Sequence, residues 1–230
     1  MNTYSDFMRP WMLEAPESHL TDAHLAAFAS AWTARDVDLL PEDVPRWLFL
    51  QWLTQQGFLL HGSRHPGITC FEPRTPVDFS PDDFSKRTGV FAASDGLWAM
   101  MYALKSDRVR RIMNMALQIA DASGWASMRY FLSFASDDPT VKVGRDLLAP
   151  GFVYVLPRDG FVQMPPYLWP NLAEVLEPHW INPAAVTPLL CLPVMPNDFP
   201  LPVRTHDAAR VAALIAADPW GFPWLAEGEQ

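Results

Sequence analysis

A histidine, a glycine and a serine end an apolar segment early in the chain and form the first candidate for a binding site. The segment begins at Gly57 and passes through Phe-Leu-Leu to His61, Gly62 and Ser63. Four or five apolar residues followed by polar turn residues are typical of a buried β-strand, and binding residues are often located at the ends of such strands. We therefore expect His61 at the carboxyl end of a strand, beside a glycine that lets a ligand approach the backbone.

A second segment carries two aromatic residues, Phe91 and Tyr102, which are eleven positions apart. It begins with Gly-Val-Phe-Ala-Ala, which is typical of a strand, and continues through Ser-Asp into an apolar stretch that starts at Gly96. An acidic residue just before an apolar stretch is a frequent helix N-cap. The sequence therefore predicts a strand that carries Phe91 and a helix that carries Tyr102.

Together, residues 57–104 resemble the ADP-ribosyltransferase superfamily, most closely its poly(ADP-ribose) polymerase and diphtheria-toxin branch. In that branch a His-Gly-(Ser/Thr) strand end holds the ribose and nicotinamide of NAD, and two aromatic residues eleven positions apart enclose the nicotinamide ring. The resemblance implies that NAD is bound as a substrate. The NAD-binding residues that it implies here are His61, Gly62, Ser63, Phe91 and Tyr102.

Cleavage of the bond between nicotinamide and ribose passes through a state that resembles an oxocarbenium ion, which sets three requirements for the site. The ribose hydroxyls must be held, the nicotinamide amide must be fixed, and positive charge at the anomeric carbon must be stabilised. The resemblance implies that His61 bonds a ribose hydroxyl and that the backbone of Gly62 pairs with the amide. Phe91 and Tyr102 would stack on the nicotinamide ring.

The third requirement usually falls to a glutamate at the start of a late strand, and here the sequence departs from the family pattern. Glu174 and Glu177 are the nearest acidic residues, and we take Glu177 as the catalytic acid beside His61 and Tyr102. If the strand begins at Trp180, His179 occupies the glutamate's place, and a histidine carries no permanent negative charge. A second departure is Ala99, where that branch often has a serine that bonds the amide.

The segment from Arg64 to Arg87 contains four prolines and reads as a long loop next to the histidine strand. Loops of this length are usually binding loops or lids. In the resembled family the corresponding loop contacts the adenosine half of NAD. We therefore expect Arg74, or alternatively Arg64, to contact the pyrophosphate.

Composition limits the partners. Seventeen basic and twenty-six acidic residues give a net charge of −9, which disfavours nonspecific binding to nucleic acid or to anionic membranes. The only two cysteines, Cys70 and Cys191, show no metal-ligand spacing, so we expect two reduced, buried thiols and no metal site. No signal peptide and no membrane span are visible, so we expect a cytoplasmic protein.

Apolar spacing and capping residues predict four further elements that flank this region, all of them helical. We expect a helix capped at Thr21, a second helix that starts near Pro41 and stops at Gly57, and a third over residues 108–121 that carries the chain's only compact basic run. That run consists of Arg108, Arg110 and Arg111. A capped amphipathic helix is expected over residues 205–215.

Strands are expected after the basic helix, from the alternation of apolar residues and the turn residues between them. We expect residues 165–183 to be irregular, the segment 186–194 to be an edge strand because it contains two prolines, and Trp220, Phe222 and Trp224 to pin the tail. The other expected strands cover residues 127–134, 152–157 and 161–162.

The fold class that follows is α+β: a split, mostly antiparallel β-sheet in an ADP-ribosyltransferase-like core, with flanking N-terminal and C-terminal helices. We expect one domain, because 230 residues can bury a single core of this size. Residues 1–56 would form an N-terminal arm and helices, residues 57–200 the core, and residues 201–230 a C-terminal helix and tail.

The function implied by the resemblance is NAD-dependent transfer of ADP-ribose to an acceptor, a glycosyltransferase reaction. The acidic composition favours a protein or small-molecule acceptor over duplex nucleic acid. Two alternatives stay open. One is a non-catalytic module that binds NAD or a protein partner through a degenerate site, and the other is an NAD-dependent RNA 2'-phosphotransferase, which would need several basic residues around the site.

Overall fold

The computed structural model describes residues 11–77, 80, 82–170 and 172–220. Four α-helices are formed in this part of the chain, together with three short 3-10 helices. The 3-10 helices cover Val37–Leu39, Gly144–Leu147 and Pro196–Asp198. The α-helices are α1 (Asp22–Ala34), α2 (Arg46–Gln55), α3 (Gly96–Ala103) and α4 (Ala208–Ala217).

Twelve strands make up the rest of the regular structure of the described residues. The first six are β1 (Leu59–Ser63), β2 (Val90–Ala93), β3 (Arg111–Asp121), β4 (Gly124–Trp125), β5 (Arg129–Ser136) and β6 (Gly151–Leu156). The other six are β7 (Val162–Gln163), β8 (Tyr167–Leu168), β9 (Glu174–Leu176), β10 (His179–Asn182), β11 (Leu190–Val194) and β12 (Arg204–Asp207).

These strands form two sheets. The first has the order β11-β6-β1-β2-β10-β7 and is antiparallel throughout. The second has the order β12-β5-β3-β9-β8, with β4 added to β3, and its β12–β5 pair is parallel. The α+β class with mostly antiparallel sheets is therefore confirmed.

Helix α3 lies directly against strands β1 and β6, and two glycines make this approach possible. A β-carbon at Gly62 would lie 2.0 Å from the carbonyl oxygen of Ala99, and one at Gly151 would lie 2.0 Å from the carbonyl oxygen of Ala103. No side chain fits at either position unless the helix moves. Because α3 also contacts β3 of the second sheet and packs against α2, its residues form the centre of the largest hydrophobic cluster.

A fully buried carboxylate fixes the start of this helix. Asp95 accepts hydrogen bonds from the backbone N–H of Trp98, at 2.8 Å, and from the hydroxyl of Tyr130 on β5, at 2.7 Å. Gln51 of α2 also bonds this carboxylate and accepts the N–H of Gly96 at 3.0 Å. Burial raises the pKa of Asp95 above its ordinary value, although the hydrogen bonds oppose that rise.

The predicted helix over residues 108–121 is wrong, because most of this segment forms strand β3. Its residues Arg111–Leu117 pair with β5 in antiparallel register, with Arg111 opposite Ala135 and Leu117 opposite Arg129. Buried residues such as Met113 and Met115 alternate along the start of the strand, as expected for a period of two. The tertiary pairing with β5 decides the structure here and overrides the helical interpretation of the basic run.

The expectation that residues 165–183 are irregular is also wrong, because this segment contains β8, β9 and β10. The strand expected at residues 161–162 forms as β7 and pairs with β10, where Trp180 lies opposite Gln163 and Ile181 opposite Val162. The expected edge strand is confirmed as β11, which pairs with β6 on one side only. Short strands of two to four residues carry too little periodicity to be recognised from sequence.

The remaining expectations are met in part. Thr21 caps α1 as predicted, whereas α2 begins at Arg46 rather than near Pro41. The C-terminal helix begins at Ala208 and is capped by Asp207, three residues later than expected.

At the tail, Trp220 packs against Trp169 with ring centroids 5.5 Å apart. Phe222 and Trp224 lie outside the described residues. Both cysteines are free, but Cys70 is exposed and Cys191 is half-buried, so the expectation of two buried thiols is wrong. None of the helices in the described ranges is long and apolar enough to cross a membrane.

We predict that Tyr130→Phe lowers the free energy of unfolding by about 1–3 kcal/mol, because it leaves the buried Asp95 carboxylate without one of its donors. Urea unfolding of wild type and variant would measure this. Tyr102→Phe is the matched control: its side chain is 43% exposed, so the same change should cost less than about 0.5 kcal/mol. Equal effects of the two substitutions would contradict a central role for the Asp95 network.

Candidate functional site

The first sheet splits between its two central strands. Strands β1 and β2 are paired through a single residue pair, Leu60 and Ala93. Beyond it, residues 61–63 pair only with β6, and Val90–Ala93 pair with β10 on their other side. Backbone pairing between β1 and β2 is therefore interrupted between His61–Ser63 and the first residues of β2, and we call this interruption the cleft.

His61 spans this cleft. Its Nδ1 lies 2.6 Å from the carbonyl oxygen of Phe91 on β2, and because a carbonyl can only accept, Nδ1 carries the proton. Burial lowers the pKa of His61; the bond to Phe91 opposes this and the charge of Arg74 adds to it. The ring is therefore neutral at pH 7, and Nε2 is left as a hydrogen-bond acceptor. His61 lies in the middle of β1, not at the carboxyl end as predicted.

Arg74 reaches the same place from the long loop. Its backbone N–H and C=O bond those of Gly89 at 3.0 and 3.1 Å, just before β2. Its positive charge acts on His61 and lowers the pKa of the imidazole further. The other loop arginine proposed for this role, Arg64, forms an ion pair with Asp107 instead. Of the two alternatives, the structure brings Arg74 to the histidine.

The loop that carries Arg74 is held by the core. The ring of Phe71 lies 4.5 Å from that of His61 and 5.1 Å from that of Tyr154. The Tyr154 hydroxyl donates to the carbonyl of His65 at 2.8 Å and accepts the N–H of Ile68 at 3.0 Å. These contacts hold the first half of the loop next to His61, along one side of the cleft.

The two predicted stacking residues belong to one chain of aromatic contacts. The Phe91 ring lies 5.2 Å from the His179 ring, which lies 5.2 Å from Trp98, which in turn lies 6.2 Å from Tyr102. Phe91 is half-buried and Tyr102 is exposed. His179 and Trp98, neither of which was assigned to ring binding, thus stand between the predicted pair.

The start of β10 bears on the third catalytic position. The strand begins at His179, whose register partner on β2 is Ala93. Glu177, two residues earlier, accepts a hydrogen bond from the hydroxyl of Tyr167 at 2.5 Å. Glu174 lies on β9 in the second sheet and is exposed. Of the three residues left open by the sequence, His179 is the one at the strand start and next to Phe91.

A turn of the long loop covers His179, and its residues were not singled out by the sequence. Phe84 is 4% exposed, and its ring lies 5.2 Å from the His179 ring and packs on Met164 and Ile181. Asp82 precedes it by two positions. The sequence signalled only that the whole loop is long and adjacent to a strand; a single phenylalanine or aspartate within it gives no separate signal.

Asp82 is ionised despite being half-buried. Burial raises the pKa of Asp82, but hydrogen bonds from the backbone of Ser85 and from the side chains of Ser80 and Ser85, together with the electrostatic interaction with His179, outweigh it and leave the pKa below its ordinary value. The Ser85 N–H bond to Oδ1 measures 2.7 Å. The carboxylate also acts on the hydroxyl of Tyr167, where burial, Glu177 and Asp82 all raise the pKa.

Gly62 and Ser63 have local structural roles in addition to any ligand contact. Gly62 is the glycine on which α3 rests, through the carbonyl of Ala99. The Ser63 hydroxyl accepts the backbone N–H of His65 at 3.1 Å, which forms a turn at the end of β1. The backbone of Ala99 is therefore next to the strand that the family pattern assigns to amide binding.

The basic run is paired with acidic residues outside the cleft. Arg110 bonds Asp137 at 2.9 Å and Arg108 bonds Asp138 at 3.4 Å. No group of three or more histidine, cysteine or acidic side chains that could hold a metal ion occurs within the described ranges.

Comparison of the chain with family models, with curated proteins and with solved structures gave no match.

We predict that Gly62→Ala destabilises the fold by about 2 kcal/mol or more, because its β-carbon would collide with the backbone of α3. Thermal or urea unfolding would measure the loss. Ser63→Ala, at the next position, removes a single exposed turn bond and should cost about 1 kcal/mol or less. A Gly62→Ala protein as stable as Ser63→Ala would show that α3 can move away from β1.

We also predict an acid-side loss of stability that depends on His61. Because the folded pKa of His61 lies below the ordinary histidine value of 6.5, the unfolded chain takes up the proton first as pH falls. The contribution of His61 is present above about pH 6.5 and is lost below it. Urea unfolding at about pH 7.5 and about pH 5.5 should therefore show a larger drop for wild type than for His61→Gln.

The matched control is His19→Gln, since His19 is exposed and distant in sequence from the cleft. That variant should lose the same free energy as wild type between the two pH values. An equal loss in wild type and in His61→Gln would mean that the folded protein protonates His61 without cost.

Proposed function

We propose that the cleft between β1 and β2 binds NAD and that the protein transfers ADP-ribose from it to an acceptor. The observation that carries this proposal is the neutral His61, whose Nδ1–H bonds the Phe91 carbonyl while Nε2 stays an acceptor. A hydroxyl-bearing ligand such as ribose donates to such an acceptor. The proposal agrees with the resemblance of residues 57–104 to ADP-ribosyltransferases, including a split, mostly antiparallel sheet.

The residues that contact the other parts of NAD in this proposal are assigned by charge and shape. Arg74, beside His61, is the cation for the pyrophosphate. Phe91 and Tyr102, with Trp98 and His179 between them, offer rings for the nicotinamide. The backbone of Gly62 and the turn at Ser63 border the cleft on the β1 side.

In the proposed reaction the bond between the nicotinamide nitrogen and the anomeric carbon breaks, and its electron pair stays on nicotinamide, which leaves as a neutral molecule. A nucleophilic atom of the acceptor forms the new bond to the anomeric carbon and loses its proton. The positive charge of the pyridinium thus passes to that proton, and no oxidation or reduction takes place. The acceptor is proposed to be a protein or a small molecule, in keeping with the net charge of −9.

A second candidate, NAD binding without turnover, is favoured by one specific observation. The strand that would carry the catalytic glutamate begins with His179, and the carboxylate of Glu177 is hydrogen-bonded to Tyr167. An RNA 2'-phosphotransferase is less well supported, because Arg108 and Arg110 are paired with Asp138 and Asp137 rather than directed at the cleft.

We predict that the purified protein releases nicotinamide from NAD and that His61→Ala reduces this release about 100-fold, the usual effect of losing one transition-state hydrogen bond in a water-excluded site. Chromatographic detection of nicotinamide would measure it, with His19→Ala as the histidine control. The midpoint of thermal unfolding, measured with and without NAD, would report binding separately from turnover.

The outcomes separate the two candidates. Release that depends on His61 supports the transferase. Thermal protection by NAD without release supports the binding module. Neither release nor protection would refute both, and with them the use of the family resemblance as a guide to function.

A further inference from the structure

The developing positive charge in the proposed reaction requires an anionic or basic group, and the region around His179 supplies both kinds. His179 stands at the start of β10, with its ring 5.2 Å from each of Phe84, Phe91 and Trp98. Three aromatic rings around one imidazole exclude water on several sides. A charge that acts on this ring is therefore screened less than it would be at the surface.

The turn above His179 carries that charge. Asp82 interacts electrostatically with His179, and it also acts on the Tyr167 hydroxyl on β8. The turn is held at two points: the Ser85 N–H bonds Asp82 Oδ1 at 2.7 Å, and Phe84 is buried against His179. The carboxylate is thus fixed on the same short turn whose phenylalanine touches the histidine.

We propose that Asp82 and His179 act together in place of the glutamate that the family pattern puts at the start of this strand. The inference rests on the proposed function. His179 accepts the proton from the acceptor's nucleophile, and Asp82 stabilises the imidazolium that results. His179 is the catalytic residue of the pair, and Asp82 acts through it as a positioning residue.

The proposed step accounts for every proton and electron pair that moves. As the nucleophile bonds the anomeric carbon, its proton passes to a nitrogen of His179, and the nicotinamide leaves with the electron pair of the broken bond. The imidazolium then returns the proton to solvent. A neutral histidine needs this carboxylate because, unlike a glutamate, it brings no negative charge of its own to balance the oxocarbenium-like state.

Glu177 is less suited to the role. Its carboxylate accepts the hydrogen bond of the Tyr167 hydroxyl, and that residue lies before the strand rather than on it. Other charged groups near the ring are Arg87, which stands 4.9 Å from the Phe84 ring, and, across the cleft, His61 and Arg74. Asp82 lies on the turn whose Phe84 ring contacts His179, and its carboxylate interacts electrostatically with that residue.

The test compares kcat and KM for NAD in nicotinamide release. In Asp82→Asn the amide oxygen can still accept the Ser85 N–H, so the turn keeps its bond and loses only its charge. We expect kcat to fall about tenfold, the effect of one partly screened charge interaction, with KM changed less than about twofold. His179→Ala should lower kcat by about 100-fold, and Asp82→Glu should recover part of the loss.

Asp83→Asn is the matched control, because Asp83 is the exposed neighbour on the same turn and the substitution removes the same charge from the chain. It should leave both constants as in wild type. If Asp82→Asn behaves like Asp83→Asn, or raises only KM, while His61→Ala still abolishes release, the inference is wrong and the proposed function stands. If wild type releases no nicotinamide, both are wrong.

Discussion

The close contact between α3 and the two glycine-bearing strands is the constraint on which the site depends. The helix follows β2 after two residues, so its position sets where β2 ends. With α3 resting on Gly62 of β1 and on Gly151 of β6, the end of β2 meets β1 at Leu60 and Ala93 only. The remaining residues of the two strands are not paired with each other, and this interruption is the cleft. The Asp95 network then holds the first turn of α3 and prevents rotation of the helix.

Two buried carboxylates show how the surroundings set different roles for the same group. At Asp95 burial outweighs the hydrogen bonds and raises the pKa. This carboxyl group caps α3 through its bond to the Trp98 N–H and has a structural role. At Asp82, which is only half-buried, hydrogen bonds from Ser85 and Ser80 and the electrostatic interaction with His179 outweigh burial, so the charged form persists. The first fixes the fold and the second leaves a negative charge at the cleft, while His61 opposite remains neutral.

The local parts of the site were predictable from sequence, and the parts built by distant pairing were not. Turn and capping residues predicted a strand around His61, a strand with Phe91 and a helix with Tyr102, all of which the structure contains. Capping residues at Ser106 and Asp107 favoured a helix over residues 108–121, whereas pairing with β5 makes most of this segment a strand. Phe84 and Asp82 reach His179 only because the loop folds back across β2, which no local pattern encodes.

A charge supplied from a loop has consequences that a charge on a strand would not have. A strand residue is held by its ladder of backbone hydrogen bonds, but Asp82 is positioned by the burial of Phe84 and by one backbone bond from Ser85. The stacking of Arg87 on Phe84 adds a third tie to the same turn. Under the proposed function, ligand binding and charge placement are therefore coupled: any ligand that shifts Phe84 from His179 also moves the carboxylate. The same turn that closes the cleft would then decide whether the bound NAD is cleaved or only held.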